Sequence, residues 1–90
     1  MWKLKDENKA DNALKMKKEL LSLKDKISEI TNIEVGINTL SSPAACDIVL
    51  IVAVKDRDAL DRYIKHPEHQ KLVEFILSVI KDRYVVDYEI

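Results

Sequence analysis

A run of seven apolar residues, IVLIVAV at positions 48–54, decides the fold of this chain. Most of the seven are β-branched, which favours a strand, and seven is an ordinary strand length. Successive strand side chains point to opposite faces of a sheet, so an entirely apolar strand needs cover on both faces. The run therefore predicts a strand that is buried on two sides.

A longer segment near the start of the sequence has the period of an amphipathic helix. Its apolar residues recur at spacings of three and four, while lysines and acids occupy most other positions. We predict a helix from about Lys9 to Ser28, with residues 6–8 able to cap it. The predicted buried stripe is Ala13, Met16, Leu20, Leu23, Ile27 and Ile30, widened by Leu14 and Leu21. A coiled coil is the alternative, but fewer than three heptads followed by strands favour packing on a sheet.

Two further strands are predicted in the first half of the chain. Residues 1–5 resemble the end of a strand, with Trp2 and Leu4 on one face. Residues 33–37 alternate apolar and polar side chains, the pattern of a half-buried strand. Ser41, Ser42 and Pro43 then mark a loop before the apolar run.

The second half predicts two helical pieces and a closing strand. Asp56 or Asp58 caps a short helix that Pro67 interrupts, and a new helix starts near that proline. The first piece would bury Ala59, Leu60, Tyr63 and Ile64, and the second Leu72, Val73, Ile76, Leu77 and Ile80. Alternation over residues 84–90 predicts the last strand.

The order of elements is β-α-β-β-α-β, which is typical of the ferredoxin-like fold: an α+β architecture with a four-stranded antiparallel sheet and its helices on one face. Because 48–54 is apolar on both faces and no helix is left over, the second face needs another cover. A second copy of the same sheet supplies it in a two-fold homodimer. A modest exposed apolar patch is the alternative. Ninety residues make one domain, 1–90.

Composition excludes several functions. With 15 basic and 16 acidic residues the net charge is −1, which offers no patch for nucleic acid or an anionic membrane. Cys46 is the single cysteine, so no intramolecular disulfide can form. No apolar run is long enough to span a bilayer. We predict a cytoplasmic protein without a cofactor.

The chain resembles the stress-responsive A/B barrel domain family, whose members are dimeric α+β barrels. The resemblance covers nearly all of the chain, and its most specific element is the sequence HPEH at 66–69 after a helix that contains a tyrosine. The other matching pieces are WKLKD at 2–6, EVGIN at 34–38, the strand from Asp47 to Val54, YIK at 63–65 and RYVVDY at 83–88. Family members carry several more residues before the position of Trp2, usually including a histidine. We therefore expect the first strand to be shortened at its N-terminus, a hypothesis that the mass of the protein from its native cells tests.

Within this group a plant polyketide cyclase is similar around HPEH. That resemblance implies that Tyr63 and His69 could act as a catalytic pair in an aldol-type cyclisation. A histidine near a helix N-terminus stays neutral and can accept a proton, and a tyrosine hydroxyl can donate to an enolate oxygen. Residues expected to line a cleft for a small apolar ligand are Trp2, Leu50, Val52 and His66.

Two other interpretations of HPEH remain open. Tyr63 and His69 could hydrogen-bond across the helix break and hold its geometry. His66, Glu68 and His69 could instead ligate a metal, although Pro67 and Glu68 are ordinary residues for a helix start, so we predict no metal site. An enclosed cavity touching Tyr63 and His69 would favour the cyclase alternative. A cleft filled by Trp2, Leu60 or Phe75 would favour a binding or structural homodimer.

Overall fold

The computed structural model describes residues 1–89, which form four strands and three helices. The sheet has the order β2-β3-β1-β4, and each neighbouring pair is antiparallel. This arrangement confirms the predicted ferredoxin-like fold. The elements are β1 (Trp2–Leu4), α1 (Lys9–Lys26), β2 (Ile30–Ile37), β3 (Ile48–Val54), α2 (Arg57–Lys65), α3 (Pro67–Val79) and β4 (Ile80–Arg83).

The hydrophobic core lies between one face of the sheet and the helices. The predicted stripe of α1 supplies Met16, Leu20 and Leu23, all nearly inaccessible to solvent. Leu4 and Ile48 meet them from the sheet. The apolar stripe of α1 and the helix-side face of the sheet contribute side chains to the same cluster. Burial of their apolar surface therefore stabilises the packing of the helix on the sheet. By contrast, Leu14 and Leu21 are exposed on α1.

Both long helices end earlier than predicted. α1 stops at Lys26, the backbone is extended at Ile27, and Ile30 begins β2 rather than ending the helical stripe. In the same way α3 stops at Val79, and Ile80 begins β4. Each helix passes directly into a strand, so an apolar residue at helical spacing can belong to the strand that follows.

The closing strand was predicted at the wrong place. Residues 84–89 have no regular secondary structure, and the strand is Ile80–Arg83. Backbone pairing with β1 explains this position. Tyr84 lies opposite Met1, with its N–H donating to the Met1 carbonyl at 2.8 Å, so the ladder reaches the first residue there. The rest of the alternating segment has no strand beside it, and Ile90 lies outside the described residues.

The starts of α2 and α3 follow the predicted chemistry and resolve one alternative, whereas Asn8 at the start of α1 makes no side-chain capping hydrogen bond. Asp56, not Asp58, caps α2, since its carboxylate accepts the Ala59 N–H at 2.8 Å. Pro67 is the first residue of α3, where its missing N–H is not needed for a helical hydrogen bond. α2 and α3 are therefore separate helices with a sharp break at His66.

The sheet face opposite the helices is partly apolar at its centre. Val49, Ile51 and Ala53 of β3 point to this face, and 49% of Ile51 is exposed. Gly36 on β2 lies beside Val49, because a Cβ added to it would come within 3.1 Å of Val49 Cγ1. The described residues provide no element that covers this open face.

Candidate functional site

The break between α2 and α3 is held by a set of local hydrogen bonds. Pro67 cannot donate to the Tyr63 carbonyl, and the His66 N–H does so instead at 3.2 Å. His66 Nδ1 in turn accepts the Glu68 N–H at 3.1 Å and so caps α3. Since this nitrogen already has a partner, the predicted ligand-binding residue His66 has a structural task at the helix junction.

His69, in the first turn of α3, hydrogen-bonds a backbone carbonyl group at the end of α2. Its Nδ1 lies 3.0 Å from the Ile64 carbonyl, and Gln70 Nε2 donates to the same oxygen at 2.8 Å. Because a carbonyl only accepts, the neutral ring carries its proton on Nδ1. Nε2 is then left as an acceptor, the form that a general base or a ligand-binding histidine needs.

Tyr63 and His69 lie side by side, with ring centroids 4.7 Å apart and ring planes inclined at 59°. Tyr63 is buried in the core. Burial raises the pKa of Tyr63 above its ordinary value of 10.0, so the hydroxyl stays protonated. The pair thus places a protonated donor beside an unprotonated acceptor.

Burial is also the main cause that lowers the pKa of His69 below its ordinary value of 6.5. The hydrogen bond to Ile64 opposes this shift, while the positive charge of Arg83 adds to it. In the unfolded chain His69 therefore binds a proton more readily than in the folded chain. The contribution of neutral His69 to stability is complete above the unfolded pKa and is lost as the pH falls through the lower, folded pKa.

We expect replacement of His69 to reduce the acid sensitivity of the fold. In urea titrations from about pH 7 to about pH 5, the native chain should lose more unfolding free energy than His69→Gln, because only the native chain has this histidine to protonate. Equal losses in the two proteins, or an NMR titration midpoint of His69 at or above 6.5, would contradict the expectation.

Trp2 carries a polar group that the fold leaves unpaired. The side chain is buried, and its Nε1 has no hydrogen-bond partner among the described residues. Buried polar groups normally have a partner, since desolvation without one is costly. Trp2 lies opposite Arg83 of β4, whose charge acts on His69. Trp2 pairs with buried Ile48 and belongs to the core, so the unpaired indole N–H is on the helix side of the sheet.

The other predicted cleft residues belong to the packed layer. Leu50 and Val52 are half-buried on the helix side of β3, against the core. Leu60 and Phe75 also pack against this core, which includes buried Trp2. This packing is the arrangement expected of a binding or structural module rather than of the cyclase.

Two surface cavities lie away from the pair. One, of about 320 Å³, is a groove between α1 and α3 with Leu23, Leu72 and Phe75 at its base and charged side chains at its sides. The other, of about 270 Å³, is a polar hollow that includes Lys9 and Asp47. Neither is lined by Tyr63 or His69. The catalytic role of the pair stays a prediction from resemblance.

Two residues near the pair were not predicted. Gln70 shares the Ile64 carbonyl with His69, and Arg83 acts on His69 from the edge strand. An unpaired carbonyl at the end of α2 could have pointed to Gln70, because a helix end before a proline needs side-chain donors. Arg83 could not have been found without the correct position of β4.

Comparisons with known proteins agree with the fold. A family model described as the stress responsive A/B barrel domain matches residues 1–90. A dimeric protein of unknown function with a ferredoxin-like fold from Bacteroides fragilis NCTC 9343 is 32% identical; the match covers 99% of this chain and 89% of that one, with a TM-score of 0.85. No curated protein matches the chain.

Two more distant solved structures share the fold. A dimeric ferredoxin-like protein of unknown function from Thermobifida fusca YX is 20% identical, with coverage of 100% of this chain and 85% of that one and a TM-score of 0.88. A protein of the same description from Jannaschia sp. CCS1 is 22% identical, with coverage of 100% and 93% and a TM-score of 0.81. None of these descriptions names a reaction, and they do not favour the cyclase alternative. Within residues 1–89, no helix is long and apolar enough to cross a membrane.

Proposed function

Because the chain belongs to the stress-responsive A/B barrel domain family, we propose that it works as a homodimer whose two sheets pack face to face and whose helix layers hold a small apolar ligand. The relative from Bacteroides fragilis, at 32% identity, is described as dimeric, and so are the two more distant structures. The dimer is the working unit in this proposal, and no reaction is assigned to it.

The apolar open face of β3 carries the proposal. An antiparallel strand with one solvated face should alternate apolar and polar residues, yet Val49, Ile51 and Ala53 all point away from the helices. Met1 and Tyr84 pair with each other at the end of β1, and about half of the surface of each is exposed. Polar Asn32 and Glu34 on edge strand β2 are suited to the rim of an interface.

Sedimentation equilibrium of the untagged chain tests the dimer. A mass twice the 10.4 kDa of the chain, maintained at micromolar concentration, is expected. A monomer at that concentration would overturn the proposal, because the open face of β3 would then be stable in water.

The ligand part of the proposal is supported by the unpaired N–H of Trp2 and by the two adjoining rings of Tyr63 and His69. Trp2 Nε1 is a buried donor without a partner among the described residues, Tyr63 is protonated, and the Nδ1 contact of His69 leaves its Nε2 as an acceptor. Trp2 and Tyr63 belong to the hydrophobic core. A small apolar molecule with one hydroxyl or carbonyl oxygen would match these groups.

Trp2 is the single tryptophan of the chain and reports on this site. We expect 4-propylphenol to change its fluorescence in a saturable way. Tyr63→Phe should weaken that binding by about 3- to 10-fold, because it loses one hydrogen bond. Tyr88→Phe removes a hydroxyl from an exposed residue beyond the end of β4 and serves as the control. Unchanged fluorescence, or equal affinity of Tyr63→Phe and the native chain, would contradict a ligand at this position.

A further inference from the structure

The polar hollow of about 270 Å³ lies between the end of β1, the start of α1 and the loop 38–47. Three lysines from three different elements line it, namely Lys3 of β1, Lys9 of α1 and Lys81 of β4. Asp47 is the one acid among the described residues that line the hollow. The lining therefore carries an excess of positive charge, although the whole chain has a net charge of −1.

Two of these lysines converge on a single anionic oxygen. The Nζ atoms of Lys9 and Lys81 lie 3.3 Å and 3.7 Å from the same atom, Oδ1 of Asp6. The hydrogen bond from Lys9 and the charge of Lys81 lower the pKa of Asp6 below its ordinary value of 3.8. Because 85% of the Asp6 side chain is exposed, it can turn away from the two lysines into water. The ammonium groups would then face the ligand that replaces it.

The acid inside the hollow has a structural task. Asp47 Oδ2 accepts the Leu4 N–H at 2.7 Å, and the Asp47 N–H donates to the Trp2 carbonyl at 2.8 Å. These bonds join the loop 38–47 to β1. Lys9 Nζ lies 3.7 Å from the same Oδ2. Since Asp47 can neutralise only one of the three lysine charges, the hollow stays positive when Asp6 moves away.

We propose that this hollow binds a phosphate group, with one phosphate oxygen in the place of Asp6 Oδ1. Lys3 and the hydroxyls of Ser41 and Ser42 line the hollow and would bind the other oxygens. The positive end of the dipole of α1 adds to the attraction, and the N-cap residue Asn8 forms no side-chain capping hydrogen bond there. This inference does not depend on the proposed homodimer.

The charge of Asp6 argues for a phosphate rather than a carboxylate ligand. A tethered carboxylate already occupies two of the lysines, so a ligand that displaces it needs more negative charge and more acceptor oxygens. A phosphate monoester has a charge of about −1.5 to −2 at pH 7 and three acceptor oxygens. The volume lies just below the range of about 300–1,000 Å³ that holds drug-sized ligands. The ligand is therefore free phosphate or a small phosphate monoester.

NMR titration of the ¹⁵N-labelled full chain tests the inference at a constant ionic strength of about 0.15 M. Inorganic phosphate and glycerol 3-phosphate should shift the amide signals of residues 38–47 and of the first turn of α1, with a dissociation constant of about 1 mM. Tighter binding of glycerol 3-phosphate would identify a monoester, and tighter binding of inorganic phosphate the free ion. Shifts that do not saturate, or that acetate reproduces, would overturn the proposal.

Charge variants of opposite effect give a second test. Lys81→Gln should weaken the binding of inorganic phosphate about 3- to 10-fold, because one ammonium group is lost. Asp6→Asn should strengthen it by a similar factor, because the competing carboxylate is removed. Lys18→Gln makes the same charge change at an exposed position about two and a half turns beyond Lys9, and should leave the affinity unchanged. An affinity that does not fall in Lys81→Gln, or does not rise in Asp6→Asn, would contradict the site.

Discussion

Replacing Ile51 with glutamate is expected to convert the proposed homodimer into folded monomers. Ile51 lies at the centre of the open face, and two copies of it would meet the partner sheet in a two-fold dimer. The variant removes two large apolar contacts and places two carboxylates in an apolar interface. We expect the dissociation constant to rise roughly 1,000-fold or more, because several kilocalories per mole are lost.

Ile64→Glu is the matched control for this experiment. Ile64 is exposed to a similar degree, 42% against 49% for Ile51, but lies on α2 in the helix layer. Sedimentation equilibrium of both variants, with circular dichroism to show that they are folded, measures the difference. If Ile64→Glu dissociates the dimer and Ile51→Glu does not, the interface is on the helix side of the protein.

Replacing Leu4 with alanine is expected to cost about 2–5 kcal/mol of unfolding free energy. Leu4 is fully buried in the short central strand β1, where it packs in the core beneath the helices. The shortened side chain leaves a cavity that the close-packed neighbours can fill only in part. Because a small domain has only about 5–15 kcal/mol of stability, the loss is a large share of the total.

Leu40→Ala makes the same chemical change on the surface. Leu40 is 79% exposed, so its replacement should change stability by no more than about 0.5 kcal/mol. Urea denaturation of both variants at one protein concentration compares them, since the stability of a dimer depends on concentration. A loss below about 1 kcal/mol for Leu4→Ala would contradict the core position of β1.

The fold could be predicted from sequence because three patterns agree. The helical stripe of α1, the apolar run of β3 and the proline that begins α3 each specify a local structure, and their order is that of one known topology. Helix ends were harder. Ile27 and Ile80 take extended backbone without a glycine or proline to mark the change, so the periodic pattern ran on into the next strand.

The last strand shows what periodicity cannot supply. Residues 80–83 contain one apolar residue, and they form β4 because their backbone lies beside β1. Residues 85–89 have the better strand sequence, but no strand of the described residues 1–89 lies beside them. A sheet needs a partner for every strand, and the identity of that partner is not encoded in local alternation.

The candidate site was predictable only in part. HPEH placed Tyr63 and His69 near one helix break, and their rings do lie 4.7 Å apart. The hydrogen bond of His69, however, goes to Ile64 rather than to Tyr63. Which acceptor a histidine takes depends on the orientation of two helices, and this tertiary geometry cannot be deduced from spacing.

The short central strand has a consequence for the order of folding. β2 and β3 are joined by the loop 38–47, whereas Leu4 of β1 pairs with Ile80 across nearly the whole chain. Closing the longer loop costs roughly 2 kcal/mol more chain entropy, so the β2–β3 hairpin should form first and β1 should dock late. Contacts made after the transition state change the unfolding rate rather than the folding rate. In stopped-flow experiments Leu4→Ala should therefore act mainly on the unfolding limb, which makes the lifetime of the native state depend on three residues at the centre of the sheet.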